Sequence, residues 1–123
     1  MKKFTFFNPL KIIFAEGAIS KLAAISTAYF RHICKSGLSK FRQYAINVWD
    51  VDSIGKTDEQ TALEGIDRLE AFFREIGATT TLRELGINDS SRFDGIAKSC
   101  NLLTGGYQTL THEDIKKILF ASL

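Results

Sequence analysis

With 123 residues and 45% hydrophobic content, the chain has material for one domain, residues 1–123, and a modest core. A net charge of +2 is spread over mixed acidic and basic residues without a basic block. The clustered positive charge of a nucleic-acid-binding surface is therefore missing.

The start of the chain resembles a signal peptide, because Met1-Lys2-Lys3 precedes apolar residues. Asn8, Pro9 and Lys11 interrupt that apolar run before a full hydrophobic region is complete. No other stretch approaches the roughly 20 apolar residues of a membrane span. We therefore expect a soluble, cytoplasmic protein without a membrane partner.

Residues 1–17 are predicted to form a β-hairpin. Residues 4–7 and 11–14 are short β-prone runs, and Asn8-Pro9-Leu10 between them has the composition of a turn. An isolated hairpin is only marginally stable in water, so this one needs a cover. Either the helices of the same chain or a second chain would supply it.

Residues 18–123 are predicted to be helical, which makes the fold class mainly α with a short N-terminal hairpin. The first helix begins near Ala18, and Ser26-Thr27 weaken its middle, where it could break. Its apolar face contains Ile19, Leu22, Ile25, Tyr29 and Ile33. A second helix is predicted from Ser39 to about Asp50, with Phe41, Ala45 and Val48 facing inward and Trp49 at its end.

The segment from Gly55 to Gly77 carries the clearest helix. Thr57 and Gln60 have the spacing of a capping box, and Gly77 follows the last apolar position, where a left-handed residue often ends a helix. Gly65 in the middle costs about 1 kcal/mol against Ala, which indicates a close crossing with another helix.

The same segment has an apolar stripe at steps of three and four residues. It predicts burial of Leu63, Ile66, Leu69, Phe73 and Ile76, together with Trp49 from the preceding helix. On the solvent side, Glu64 with Arg68 and Glu70 with Arg74 have the i,i+4 spacing of ion pairs.

Three shorter elements follow. Residues 82–86 are predicted to form one helical turn that ends at Gly86, and Asp89 or Ser90 to cap a helix that ends at Thr104-Gly105-Gly106. That helix carries Phe93, Ile96, Ala97 and Cys100. Thr111 begins the last helix, where Leu110 can pack on Ile115 and acidic residues occupy the first turn.

No catalytic, cofactor-binding or metal-binding residue is predicted from the spacing of the residues. The Gly105-Gly106 pair follows a predicted helix and is read as a helix stop, since no strand and phosphate-binding glycine motif precede it. His32 and His112 have no Cys or carboxylate at ligand spacing. Cys34 and Cys100 are far apart in sequence and are predicted to be buried, reduced thiols.

Most of the chain resembles the iron-containing alcohol dehydrogenases, in particular their NAD(P)H-dependent butanol dehydrogenase branch. Residues 4–9, 11–14 and 17–19 resemble the opening strands of that family. Residues 29–41, 44–49 and 51–52 are similar to the segment that follows the family's last metal-binding histidine. The family's C-terminal helices are matched by residues 55–59, 82–87, 104–106 and 110–115. In relatives, the position of Leu103 lies near the substrate cleft.

The resemblance implies an oxidoreductase ancestry in which a full-length enzyme uses NAD(P)H and iron or zinc. Between its first and second matching stretches the chain lacks the family's nucleotide-binding domain and its metal ligands. The resemblance therefore implies an internally deleted member, with N-terminal strands joined to the C-terminal helices and no cofactor of its own. Such a chain is expected to be inactive alone.

An alternative reading is an interaction module that pairs with itself or with a full-length relative. The resemblance implies that the hairpin has lost the domain against which it would lie. We therefore expect a homo-oligomer joined through the apolar hairpin side chains, with a candidate interface at Phe4, Phe6, Ile12 and Phe14. The hairpin folding back onto its own helices is the competing arrangement.

Overall fold

A computed structural model of the protein describes residues 18–102 and 104–123, with side chains described from Ala23 onward. The described residues form five α-helices and no strand. In chain order they are α1 (Ala18–Ile33), α2 (Leu38–Trp49), α3 (Asp58–Glu75), α4 (Phe93–Ser99) and α5 (His112–Ala121). Short 3-10 turns occupy Cys34–Gly37, Arg83–Leu85 and Ser90–Arg92. The helical prediction is confirmed for this part, and the predicted hairpin of residues 1–17 lies outside it.

The predicted helix α3 begins and ends where its local sequence indicates. Thr57 Oγ1 accepts a hydrogen bond from the Gln60 amide, and the Gln60 side chain accepts one from the Thr57 amide, so the capping box is confirmed. Gly77 has a φ of +80°, in the left-handed region that glycine tolerates. Both ends are therefore set by residues next to the helix in sequence.

The buried side of α3 differs from the predicted apolar stripe. Only Ile66 of that stripe is fully buried, while Ile76 is 56% exposed. The half-buried predicted core residues are Leu63, Leu69, Phe73 and Trp49. The face that packs inward contains Thr61, Ala62, Gly65 and Ile66. Small side chains occupy it because α2 crosses α3 closely at Gly65, as the sequence predicted.

Helix α2 is present at the predicted position, but one of its three side chains predicted to face inward is exposed. Phe41 and Ala45 are buried, as expected. Val48 is 60% exposed, so its predicted inward position is wrong.

Helix α1 runs unbroken through Ser26 and Thr27, both of which are buried. The helix predicted from Ala18 is therefore confirmed, and the break that the sequence allowed near Ser26 does not occur, because α1 packs against both α3 and α5 and tertiary contacts outweigh weak local propensity. Ile25 and Ile33 are buried as predicted, whereas the side chains of Ile19 and Leu22 lie outside the described ones.

Ion pairs connect the helices on their solvent side. Arg31 on α1 donates to Asp67 and Glu70 on α3, at 2.9 Å in both cases. Burial alone would lower the pKa of Arg31, but these hydrogen bonds raise it overall. The predicted pairs within α3, Glu64 with Arg68 and Glu70 with Arg74, are also present.

The C-terminal elements complete the core. Arg83–Leu85 is the single turn predicted, and Gly86 beyond it has a φ of +80°. The Asp89 side chain accepts from the Ser91 amide, so Asp89 rather than Ser90 caps the turn that leads into α4. Thr111 caps α5, and Leu110 and Ile115 are both buried in the core, where a hydrophobic staple would place them.

Among the described residues, no helix is both long and apolar enough to cross a lipid bilayer.

Candidate functional site

An open groove of about 700 Å³ lies where α1, α2 and the loop before α5 meet. Helix α1 contributes Tyr29, Phe30 and Ile33, and α2 contributes Lys40, Phe41 and Tyr44. The loop contributes Gly105, Gly106 and Tyr107. Ligand pockets for small organic molecules have volumes of roughly 300–1,000 Å³, so the groove is large enough for such a molecule.

A row of tilted aromatic rings forms the wall of the groove. The ring centroids of Tyr29 and Phe30 lie 5.6 Å apart, and those of Phe30 and Phe41 lie 5.8 Å apart. Tyr107 continues the row, with its centroid 6.0 Å from that of Phe41. Such separations are typical of aromatic pairs that interact through ring edges and faces. The row joins two helices and a distant loop, so it exists only in the folded chain.

Tyr107 is held in the wall by the turn between α1 and α2. A Cβ atom at Gly37 would lie 2.6–3.0 Å from the Tyr107 ring, so the ring lies directly on the backbone of that turn. The Ser36 hydroxyl donates to the Gln108 side-chain oxygen at 3.1 Å and ties the same loop to the turn. Tyr107 is nevertheless 53% exposed, so the ring is both positioned and accessible.

The polar groups of the groove are few. Lys40 is exposed and is the one charged residue among the described residues that line the groove. Burial raises the pKa of the Tyr29 phenol, so this hydroxyl stays protonated and can donate a hydrogen bond at neutral pH. The groove thus combines aromatic surface with one cation and neutral donors.

The Gly105-Gly106 pair lies in the loop before α5 and not at the end of α4, where it was predicted. Helix α4 ends at Ser99, so Thr104-Gly105-Gly106 does not stop it, and the predicted end of that helix is wrong. Cys100 takes an extended conformation, which ends the helix before the glycines are reached. Gly105 has a φ of +115° and turns the chain into the groove wall. Leu103 lies outside the described residues.

Both histidines form hydrogen bonds that involve the first turn of α5. His32 Nε2 donates to Asp114 Oδ1 at 3.1 Å, and His112 Nε2 donates to the carbonyl oxygen of Cys100 at 3.2 Å. Asp114 also accepts from the backbone amide and the hydroxyl of Thr111, at 2.9 Å each. The Thr111 amide, and then the Thr111 hydroxyl and His32, hold the pKa of Asp114 below its usual value.

The two cysteines are buried and free, as predicted. Burial raises the pKa of both thiols, and the nearby Glu59 carboxylate raises that of Cys34 further. Among the described residues, no three His, Cys, Asp or Glu side chains come close enough together to hold a metal ion. The candidate interface residues Phe4, Phe6, Ile12 and Phe14 lie outside the described part.

The sequence indicated single residues of the groove but not their assembly. Tyr29 and Phe41 were each expected to lie on the inner face of a helix. Nothing in the spacing of Phe41 and Tyr107 indicates that their rings meet, because 66 residues separate them and only the packing of the helices brings them together. An aromatic residue directly after a glycine pair was the available signal, since such a loop can place its side chain against another element.

Comparison with known proteins identifies the family. Residues 20–123 match the model of the Fe-containing alcohol dehydrogenase family, C-terminal. The chain therefore belongs to the Fe-containing alcohol dehydrogenases, and its described helices correspond to their C-terminal part. This confirms the family resemblance of the sequence.

Three curated relatives are butanol dehydrogenases by name. "Probable NADH-dependent butanol dehydrogenase 1" of Bacillus subtilis is 40% identical over 104 residues, which are 83% of this chain and 27% of the relative. "Probable NADH-dependent butanol dehydrogenase 2" of the same organism is 34% identical over 106 residues, again 83% of this chain and 27% of the relative. "NADH-dependent butanol dehydrogenase A" of Clostridium acetobutylicum is 29% identical over 102 residues, 79% of this chain and 26% of the relative. The chain thus spans about a quarter of the length of these relatives.

Proposed function

We propose that this chain is a shortened alcohol dehydrogenase that is catalytically inactive by itself. In this proposal, residues 1–17 are the family's opening strands joined directly to its C-terminal helices. The ancestral activity is an NAD(P)H-dependent interconversion of alcohol and aldehyde, as the names of the relatives suggest. The buried free thiols of Cys34 and Cys100 suit the reducing cytoplasm.

The use of the two histidines carries this proposal. A catalytic metal in a protein needs several side-chain ligands with free lone pairs at one point. Here each histidine already uses its Nε2 atom in a hydrogen bond to a different helix or loop, and these bonds fix the start of α5. Both histidines thus support the packing of α5, and no three His, Cys, Asp or Glu side chains of the described residues converge on one point.

Cofactor and activity measurements on the purified chain test the proposal. We expect no saturable change in fluorescence on titration with NADH or NADPH, and no reduction of butyraldehyde with added ferrous iron or zinc. The full-length butanol dehydrogenase 1 of Bacillus subtilis, assayed under the same conditions, is the matched control. Saturable cofactor binding together with turnover above a blank contradicts the proposal.

A second candidate function is an interaction module, favoured by an apolar surface at the end of α2 and α3. We call this surface, made by Trp49, Phe72, Phe73 and Ile76, the α2/α3 patch. The ring centroids of Trp49 and Phe72 lie 5.9 Å apart, and those of Phe72 and Phe73 lie 6.4 Å apart. Phe72 and Ile76 are 41% and 56% exposed, and the buried indole nitrogen of Trp49 has no hydrogen-bond partner within the described part of the chain. Such apolar exposure is typical of surfaces that contact another protein.

In this second candidate the chain pairs with itself, with the hairpin side chains Phe4, Phe6, Ile12 and Phe14 as the proposed interface, or with a full-length relative. Light scattering at tens of micromolar measures the mass. A Phe6→Lys, Phe14→Lys variant tests the hairpin, and a Phe72→Lys variant tests the α2/α3 patch. A dimer that dissociates in one variant only assigns the interface to that surface. A monomer mass for the unmodified chain excludes self-association.

A further inference from the structure

The aromatic groove has the composition of a site for a flat, negatively charged molecule. The rings of Tyr29, Phe30, Phe41 and Tyr107 follow one another with interplanar angles of 47–59°. None of these contacts is a parallel stack, so the rings do not cover one another's faces completely. An aromatic ligand can therefore gain further edge and face contacts with these rings.

The charge of the groove favours a ligand that carries a negative charge. Among the described residues that line the groove there is no Asp or Glu, and Lys40 carries the one charge. Two other cations close to Lys40 in sequence are engaged in ion pairs, since Lys35 pairs with Glu59 and Arg42 pairs with Asp58. Lys40 has no ion-pair partner among the described residues, so its ammonium group is available to an anion.

The groove is also shaped in advance. The Tyr107 ring rests on Gly37, where a side chain would collide with it, and Ser36 binds the adjacent Gln108. Phe41 is 8% exposed and Ile33 is 4% exposed, so the floor of the groove belongs to the packed core. A wall that is fixed before binding loses little conformational entropy when a ligand enters.

We propose that this groove binds a planar aromatic carboxylate, with the ligand ring against Tyr29, Phe41 and Tyr107 and the carboxylate at Lys40. Most of the affinity then comes from the ring contacts, because an ion pair to an exposed lysine contributes little. The charge supplies discrimination between an acid and its neutral analogue. This site goes beyond the proposed function, since it requires neither a nicotinamide cofactor nor a metal.

Titration of the full chain with 2-naphthoate, followed by ligand fluorescence and by two-dimensional NMR, tests the proposal. We expect saturable binding with a Kd below about 1 mM, which corresponds to roughly −4 kcal/mol. The largest NMR shifts should occur at Tyr29, Tyr107 and their neighbours. The neutral analogue 2-naphthamide should bind about two- to fivefold more weakly, because it cannot pair with Lys40.

Variants separate the parts of the site. Tyr107→Ala should weaken binding about tenfold, and Lys40→Gln about two- to fivefold. Gly37→Ala should also weaken binding, because the added methyl group displaces the Tyr107 ring. Tyr107 and Lys40 are exposed side chains, so both of their variants should fold, as circular dichroism will verify.

Matched controls carry the same chemistry outside the groove. Lys98→Gln removes a cation that is paired with Asp94, and Phe72→Ala removes an exposed ring of the α2/α3 patch. Neither should change the affinity for 2-naphthoate. The proposal is overturned by the absence of saturable binding, by equal affinity for the acid and the amide, or by unchanged binding in Tyr107→Ala. NMR shifts centred on the α2/α3 patch would equally contradict it.

Discussion

Gly65 on α3 lies against Ala45 on α2 so closely that a Cβ atom at position 65 would be 2.5 Å from the Ala45 Cβ and 2.8 Å from its Cα. Ala45 is completely buried, and its backbone cannot move aside without shifting α2. Among the described elements α2 and α3 make the most extensive helix contact, and this contact depends on the absence of a side chain at Gly65.

Gly65→Ala should destabilise the protein although alanine is the better helix former. The substitution gains about 1 kcal/mol of helix propensity but forces a methyl group into a filled contact, which costs about 1–3 kcal/mol. Most of that contact is with backbone and Cβ atoms, so relaxation is small. We expect a net loss of free energy of unfolding, measured by urea denaturation.

Gly95→Ala is the control for this prediction. Gly95 also lies inside a helix, α4, but nothing is within 4 Å of a Cβ atom placed there. This variant should keep the propensity gain of up to about 1 kcal/mol. If both variants are stabilised equally, the close crossing at Gly65 is not a constraint.

Local features of this fold could be predicted from sequence, and long-range ones could not. The caps at Thr57 and Thr111 and the left-handed Gly77 depend on residues a few positions apart, so the local sequence is enough to predict them. Gly65 was also interpretable, since a glycine in the middle of a helix needs a packing reason. Each of these signals is contained within one turn of helix.

The sequence predicts the wrong buried face for α3, because the spacing of large apolar residues carries more weight in such a prediction than that of small ones. The structure buries Thr61 and Ala62 completely and leaves Ile76 largely exposed. A close crossing favours small side chains, and hydrophobic periodicity alone ranks them low. The aromatic groove was missed for the related reason that Tyr29, Phe41 and Tyr107 meet only after three separate elements have packed.

Phe93→Ala should destabilise the fold far more than Phe73→Ala. Phe93 is 1% exposed and contacts the Phe120 ring at a centroid distance of 5.2 Å, so truncation leaves a cavity in the core. Replacing a buried phenylalanine by alanine costs about 3–5 kcal/mol. Phe73 is only half-buried, so solvent can fill part of the space that its ring leaves. Chemical denaturation of both variants measures the difference, and equal losses would contradict the burial pattern.

The free energy of unfolding should fall as the pH is lowered through the range in which Asp114 becomes protonated. In the folded chain the pKa of Asp114 lies below its unfolded value of about 3.9, because Thr111 and His32 hydrogen-bond to the ionised carboxylate. The stabilisation is therefore complete above that unfolded pKa and is lost as the pH falls through the lower folded pKa. Asp114→Asn should lose stability at neutral pH and show a shallower decline between about pH 5 and 2.

Glu113→Gln is the control for the helix dipole. Glu113 lies in the same first turn of α5 and is exposed, so its removal tests negative charge near the helix start without the Thr111 contacts. We expect a loss of less than about 1 kcal/mol for Glu113→Gln and a larger one for Asp114→Asn. Equal losses would mean that the dipole alone explains the effect of Asp114.

Cys34 and Cys100 should react slowly with a thiol reagent in the native protein. Cys34 is 1% exposed and Cys100 is 5% exposed, and burial raises the pKa of both thiols, so little thiolate forms near neutral pH. The Cys100 thiol also donates to the Ile96 carbonyl oxygen at 3.3 Å, so its hydrogen is engaged within the fold. We expect 5,5′-dithiobis(2-nitrobenzoic acid) to modify both residues at a rate limited by opening of the fold. In guanidinium chloride both thiols should react at once. A fast phase in the native protein that accounts for one thiol would contradict the burial of Cys34 in the turn after α1 or of Cys100 at the end of α4.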